Sequence, residues 1–69
     1  MTGIEKAISI AGSQYKLGKL LGVTQAAVNI WKTMGYVPKQ RSIEISEKLG
    51  IPRDELISEK SRIQIKYGR

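Results

Sequence analysis

Neither cysteine nor histidine occurs in this 69-residue chain. Disulfides, thiolate and imidazole metal sites, and every nucleophile or base arrangement built on those two side chains are excluded by inventory, so stability has to come from packing. Long apolar runs are missing as well, since none approaches the ~18 residues of a membrane span. The first residues lack a basic flank followed by an apolar core, so a cytoplasmic setting is expected and not a membrane. Length adds a further exclusion. A chain of 69 residues makes one small domain, without room for a roomy catalytic pocket beside a core, and an enzyme is not expected.

Acidic residues are scarce in the first part of the chain. Residues 1–42 hold Lys6, Lys16, Lys19, Lys32, Lys39 and Arg41 against Glu5 alone, a net of +5, whereas residues 43–69 hold six cations against five anions, a net of +1. The overall charge of +6 therefore belongs to one region, as a polyanion-binding face requires. A solvated basic surface serving solubility is the plain alternative, and charge alone does not separate the two.

What is present is a series of short amphipathic helices with start and stop signals. Thr2-Gly3-Ile4-Glu5 reads as a capping box, followed by Ile4, Ala7, Ile8 and Ala11 at helical spacing, with Gly12 as a stop. Ser13 caps a second helix over residues 14–21, and Gly22 ends it. Val23 is apolar at the turn, Thr24 caps a third helix from Gln25 to about Met34, and Gly35 ends that one. Val37-Pro38 marks a new start, with Ile43, Ile45 and Leu49 as apolar positions of a fourth helix before Gly50. Pro52 opens a short fifth helix over residues 52–58, with Asp54 and Glu55 near its N-terminal end and Leu56 and Ile57 inward. The expected fold is thus an all-α five-helix bundle.

Residues 1–58 form the expected domain and residues 59–69 a basic tail. In the tail, Arg62-Ile63-Gln64-Ile65-Lys66-Tyr67 alternates polar and apolar residues with period two. A lone strand has no partner within the chain, so the tail is either disordered, the preferred reading, or an edge that pairs with the same segment of a second subunit.

The second and third helices have the spacing of a helix-turn-helix DNA reader. Leu17 and Leu21 line one side of the second helix, and Val28 and Trp31 line the buried side of the third. These are core residues in any case, and a helix-turn-helix is a small bundle whose core sets the angle of the next face. The discriminating residues are the outward ones: Gln25, Ala26, Asn29, Ile30 and Thr33. Gln and Asn can bond adenine bidentately, and Ala and Ile can touch a thymine methyl. A purely structural surface helix favours Glu and Lys pairs one turn apart, and the third helix has no acid at all. For the phosphate backbone the candidates are Gln14 at the start of the second helix, Lys16 and Lys19 on its polar side, Lys32 beside the groove, and Lys39 and Arg41 at the start of the fourth helix. Either of Lys16 and Lys19 reads equally as an ordinary solvated lysine. Gly18 is unfavourable in mid-helix, and a small residue there allows close approach of the third helix. Gly12 and Gly18-Lys19 do not form a phosphate-binding loop, because five residues separate the glycines, Leu20 replaces the required Ser or Thr, and no strand precedes them.

The segment from Gln14 to Thr33 resembles the helix-turn-helix of phage Cro and repressor proteins, where Gln opens the second helix, a small residue follows four later, and Gly marks the turn: here Gln14, Gly18 and Gly22. The continuation Val28-Asn29-Ile30-Trp31-Lys32, then Gly35-Tyr36-Val37-Pro38-Lys39-Gln40-Arg41 and Gly50-Ile51-Pro52-Arg53-Asp54-Glu55-Leu56, is similar to the all-helical Cro proteins and to YdaS-like antitoxins, over about residues 4–58. Gly18 stands where Ala is usual in those families, and Ser42 and Glu44 fall in a stretch that they often make more apolar. The resemblance implies a lambda repressor-like domain with its third helix in the major groove. Base contacts would then fall on Gln25, Ala26, Asn29, Ile30 and Thr33, and phosphate contacts on Gln14, Lys39 and Arg41. Some Cro proteins end in a β-sheet, but Pro38, Gly50 and Pro52 argue for helices here.

The function expected from these readings is sequence-specific binding of double-stranded DNA by a phage or prophage Cro-like repressor. Two subunits, weakly associated or paired only on DNA, would place their third helices in successive major grooves ~34 to 36 Å apart on a palindromic operator and exclude polymerase. The alternative is an antitoxin or protein-interaction module that sequesters a protein partner, with the tail folding on it. No cofactor, metal or effector site is legible.

Overall fold

Three serine or threonine hydroxyls start three of the four helices. In the computed structural model, which describes residues 2–58, the helices are α1 (Gly3–Ala11), α2 (Gln14–Leu21), α3 (Gln25–Met34) and α4 (Lys39–Leu49). Thr2 Oγ1 accepts from the Glu5 amide at 3.2 Å, Ser13 Oγ from the Lys16 amide at 3.0 Å, and Thr24 Oγ1 from the Ala27 amide at 3.1 Å. Each bond satisfies one of the amides that a helix start leaves without an intrahelical partner. At α1 the capping box is complete, because the Thr2 amide donates back to Glu5 Oε1 at 2.8 Å. α4 starts differently. Pro38 precedes it with φ of −57° and no side-chain cap, so the fixed proline ring sets the entry.

One apolar cluster holds the helices together. Ile4 and Ala7 of α1, Leu17 and Leu21 of α2, Val28 and Trp31 of α3 and Ile45 of α4 are buried there, joined by Val37, Ile51 and Leu56 from the connections. Ile8, Ala11 and Val23 pack against this cluster half-buried. Burial of a Leu- or Ile-sized side chain contributes about 1.5 to 3 kcal/mol, so these few residues supply most of the drive to fold. α3 packs most extensively on α2, and α1 covers both.

Two expectations are corrected. The fifth helix over residues 52–58 is a single 3-10 turn, Arg53–Glu55, closed by Glu55 N to Pro52 O at 3.0 Å and Leu56 N to Arg53 O at 2.9 Å. The helix cannot continue because the Leu56 carbonyl accepts from the Val37 amide at 2.7 Å, which pins the segment to the α3–α4 connection and buries Leu56 and Ile57 side by side. The described residues therefore form four α-helices and this turn, without strands. On α4, Ile43 is 40% exposed, and its expected inward place is taken by fully buried Ser42. Ser42, Ile45 and Leu49 share one face at helical spacing, whereas Ile43 points about 100° away from Ser42. The Ser42 hydroxyl donates to Lys39 O at 2.5 Å, so its burial leaves no polar group unsatisfied.

α1 is fastened to the 3-10 turn by Lys6 Nζ, 2.6 Å from Glu55 Oε1. Gly3 sits directly under this clasp, and a Cβ there would overlap the Glu55 carbonyl oxygen. The tail, expected as disordered or as an intersubunit strand, lies outside the described residues.

Candidate nucleic-acid interface

The connection between α2 and α3 is fixed by backbone contacts. Gly22 takes the left-handed conformation, φ 73°, while its amide donates to Lys19 O at 3.4 Å and the Val23 amide donates to Gly18 O at 2.9 Å. This is the double bond pattern of a Schellman stop, and it closes α2 so that Thr24 can cap α3 two residues later. Gly18 makes the tightness possible. A Cβ at Gly18 would lie 2.8 Å from Val23 O and 3.4 Å from the Gln25 amide nitrogen, so the chain entering α3 passes where a side chain would otherwise stand. The close approach is thus to the connecting backbone and the first turn of α3.

With Val28 and Trp31 turned inward, all five outward candidates, Gln25, Ala26, Asn29, Ile30 and Thr33, are exposed on α3. Helical periodicity divides this surface into three strips. Ala26, Asn29 and Thr33 run along the middle, Gln25 and Lys32 occupy one flank, and Ile30 and Met34 occupy the other. The N-terminus of α2 stands beside the polar flank, where Gln14 Nε2 donates to Asn29 Oδ1 at 3.4 Å.

The cations around α3 are arranged unequally. Lys19 is exposed and its ammonium lies 5.6 Å from the centre of the Tyr15 ring, itself 57% exposed. Lys16 folds back along the α1–α2 connection, with its Cδ 3.2 Å from where a Gly12 Cβ would be. Lys32 is exposed in the last turn of α3, and its charge reaches Glu5. The Glu5 carboxyl is held below the ordinary glutamate range, first by the Thr2 amide and only weakly by Lys32. Lys39 is exposed on the opening residue of α4.

Arg41 is engaged elsewhere. One guanidinium nitrogen donates to Leu21 O at 3.3 Å and to Glu44 Oε1 at 3.0 Å. Lys48 donates to Leu20 O at 3.1 Å and lies 3.3 Å from Glu44 Oε2. Two cations of α4 thus cap the carbonyl end of α2, where the helix dipole favours positive charge, and Glu44 sits between them. The Glu44 carboxyl is held below its usual range, first by the hydrogen bond from Arg41 and then by Lys48.

Sequence reasoning named the middle strip and the cations but missed two side chains at this surface. Tyr15 is four residues before Lys19, and Met34 is four after Ile30, so one helical turn of spacing was the signal in both cases. Among the described residues no group of three His, Cys, Asp or Glu side chains could hold a metal ion, and no helix is long and apolar enough to cross a membrane.

No curated protein and no solved structure matches the chain. The family model described as bacterial toxin YdaS matches residues 4–57, from the first buried side chain of α1 to the isoleucine that follows the 3-10 turn. With agreement from Ile4 of α1 to Ile57 after the 3-10 turn, the chain belongs to the YdaS family.

Proposed function

We propose that the domain is a sequence-specific DNA-binding regulator in which α2 and α3 act as a helix-turn-helix and α3 enters the major groove, in the manner of a Cro-like repressor. The observation that carries this reading is the outward surface of α3. It presents amides, a hydroxyl, methyl groups and a lysine, has no acid, and is set on a close backbone contact at Gly18, where a Cβ would lie 2.8 Å from Val23 O. Gln25 and Asn29 would bond base edges, while Ala26, Thr33 and Ile30 would touch the groove floor. Gln14, Lys19, Lys32 and Lys39 would approach phosphates from both sides of the helix. Arg41 serves chiefly to brace α2, because its guanidinium is already divided between Leu21 O and Glu44. Lys16, folded along the α1–α2 connection, contributes mainly long-range charge.

A module of this size covers little DNA, so useful affinity calls for two copies on a palindromic site, acting in the cytoplasm by excluding polymerase. Selection from a random duplex library at physiological salt tests the reading. The expected result is an enriched palindrome with half-sites about one helical turn apart, ~34 Å. No enrichment even at low salt overturns it.

The family's description as a bacterial toxin favours one second reading, in which the domain works within a toxin and antitoxin pair by holding a protein partner. Gln25→Ala combined with Asn29→Ala separates the two. A DNA reader loses its sequence preference, whereas a partner-binding module retains its partner.

A further inference from the structure

Ile30 and Met34 are large apolar side chains left in solvent, 56% and 45% exposed, one turn apart along the same flank of α3. Core packing does not explain them, since Val28 and Trp31 already form the buried side of this helix. A protein partner does not fit them well either. Two side chains bordered by Ala26 and Thr33 of the middle strip offer far less than the roughly 800 Å² per partner of a stable protein interface. The charge of the same helix points to a polyanion, because α3 has no acid, Lys32 is exposed on its opposite flank and Lys39 is exposed on the first residue of α4. The apolar feature that a major groove offers to such an edge is the C5 methyl group of thymine.

We infer that the Ile30–Met34 edge of α3 selects 5-methylated pyrimidines, so that each half-site carries thymine where this edge meets the groove floor. The inference rests on the DNA-binding reading above and adds to it the base chemistry of one flank. Ile30, branched at Cβ and stiff, fixes one methyl contact, while the unbranched thioether of Met34 adapts to the neighbouring step. Gln25 on the polar flank and Asn29 in the middle strip, with Gln14 of α2 beside them, then read hydrogen-bonding edges, so that one helix divides the site between polar and apolar recognition.

Uracil is the direct probe, since it keeps every hydrogen-bonding group of thymine and lacks only the methyl. The full chain is titrated with the most enriched duplex from the random library and with copies in which single thymines are replaced by deoxyuridine. One or two positions per half-site are expected to weaken binding by about fourfold each, the effect of one buried methyl group. In Ile30→Ala the replacement at the Ile30 contact, and in Met34→Ala the one at the neighbouring step, is expected to cost nothing further; both side chains are exposed, and an unchanged melting curve shows that each variant folds. A bound duplex indifferent to uracil at every position overturns the inference and leaves the DNA reading standing. A full uracil effect that persists in both variants does the same. If no duplex is enriched at all, both fall together.

Discussion

Gln14 Nε2 donates to Asn29 Oδ1 across 3.4 Å, linking the first turn of α2 to the middle of the outward surface of α3. The bond orients the Asn29 amide before any ligand arrives, and it leaves the other hydrogen-bonding groups of both side chains available. Gln14→Ala should therefore weaken DNA binding about threefold to tenfold with little change in stability, the scale of one modest hydrogen bond. Asn29→Ala should cost more, about 1 to 3 kcal/mol, and flatten the preference at one base pair. Titration of the selected duplex and its single-base variants checks both, and equal preference profiles for Asn29→Ala and the natural chain would contradict the assignment.

Gly18→Ala should destabilise the fold, although alanine is the better helix former by ~1 kcal/mol. The added methyl meets Val23 O at 2.8 Å, and the atom it meets belongs to backbone locked by the Schellman bonds. A net loss of about 1 to 2 kcal/mol is expected, in the range of other overpacking changes. Urea unfolding at constant m-value measures it, and a stabilised variant would show that the connection yields more easily than its bonding indicates.

Gly3→Ala should be worse. Its Cβ would overlap Glu55 O, so either α1 or the 3-10 turn has to move, and the Lys6–Glu55 contact moves with it. Loss of about 2 to 3 kcal/mol is expected, against about 1 kcal/mol or less for Lys6→Ala, which removes only an exposed ion pair. Thermal melting of the two variants side by side gives the comparison.

Lys39→Ala and Arg41→Ala should part company in their salt dependence. Removal of a phosphate-contacting cation lowers the slope of log affinity against log salt by about 1. Lys39→Ala is expected to do this with unchanged stability. Arg41→Ala is expected to lower the melting temperature, because the Leu21 carbonyl and Glu44 lose their donor, and to change the slope by much less. Identical slope changes would return Arg41 to the phosphate backbone.

Acid should loosen the domain through Glu5 and Glu44. Both carboxyls are held below the ordinary glutamate range in the fold. Each thus contributes stability that is present above the unfolded-state value and is lost as pH falls through the lowered folded-state value. Melting temperatures across the acidic range should fall less steeply in Glu5→Gln and Glu44→Gln than in the natural chain. An unchanged steepness in both would assign the acid response to other carboxyls.

The chain's local chemistry was legible without a structure. Thr2, Ser13 and Thr24 announce helix starts, Gly12, Gly22, Gly35 and Gly50 announce stops, and the apolar spacing of Leu17, Leu21, Val28 and Trp31 separates the inward side of α2 and α3 from the outward one. Caps and stops act over three or four residues, and amphipathic spacing repeats every turn, so the sequence carries them in full. Other features were settled only by packing between distant segments. That Gly3 must clear Glu55, that Ser42 and not Ile43 turns inward, that the carbonyl of Leu56 is taken by Val37 and so ends the last helix after one turn, and that Arg41 is drawn to the end of α2 all depend on partners well separated along the chain. Local patterns leave such pairings open, because a hydrogen bond or a close contact between remote residues exists only once the helices have taken their places.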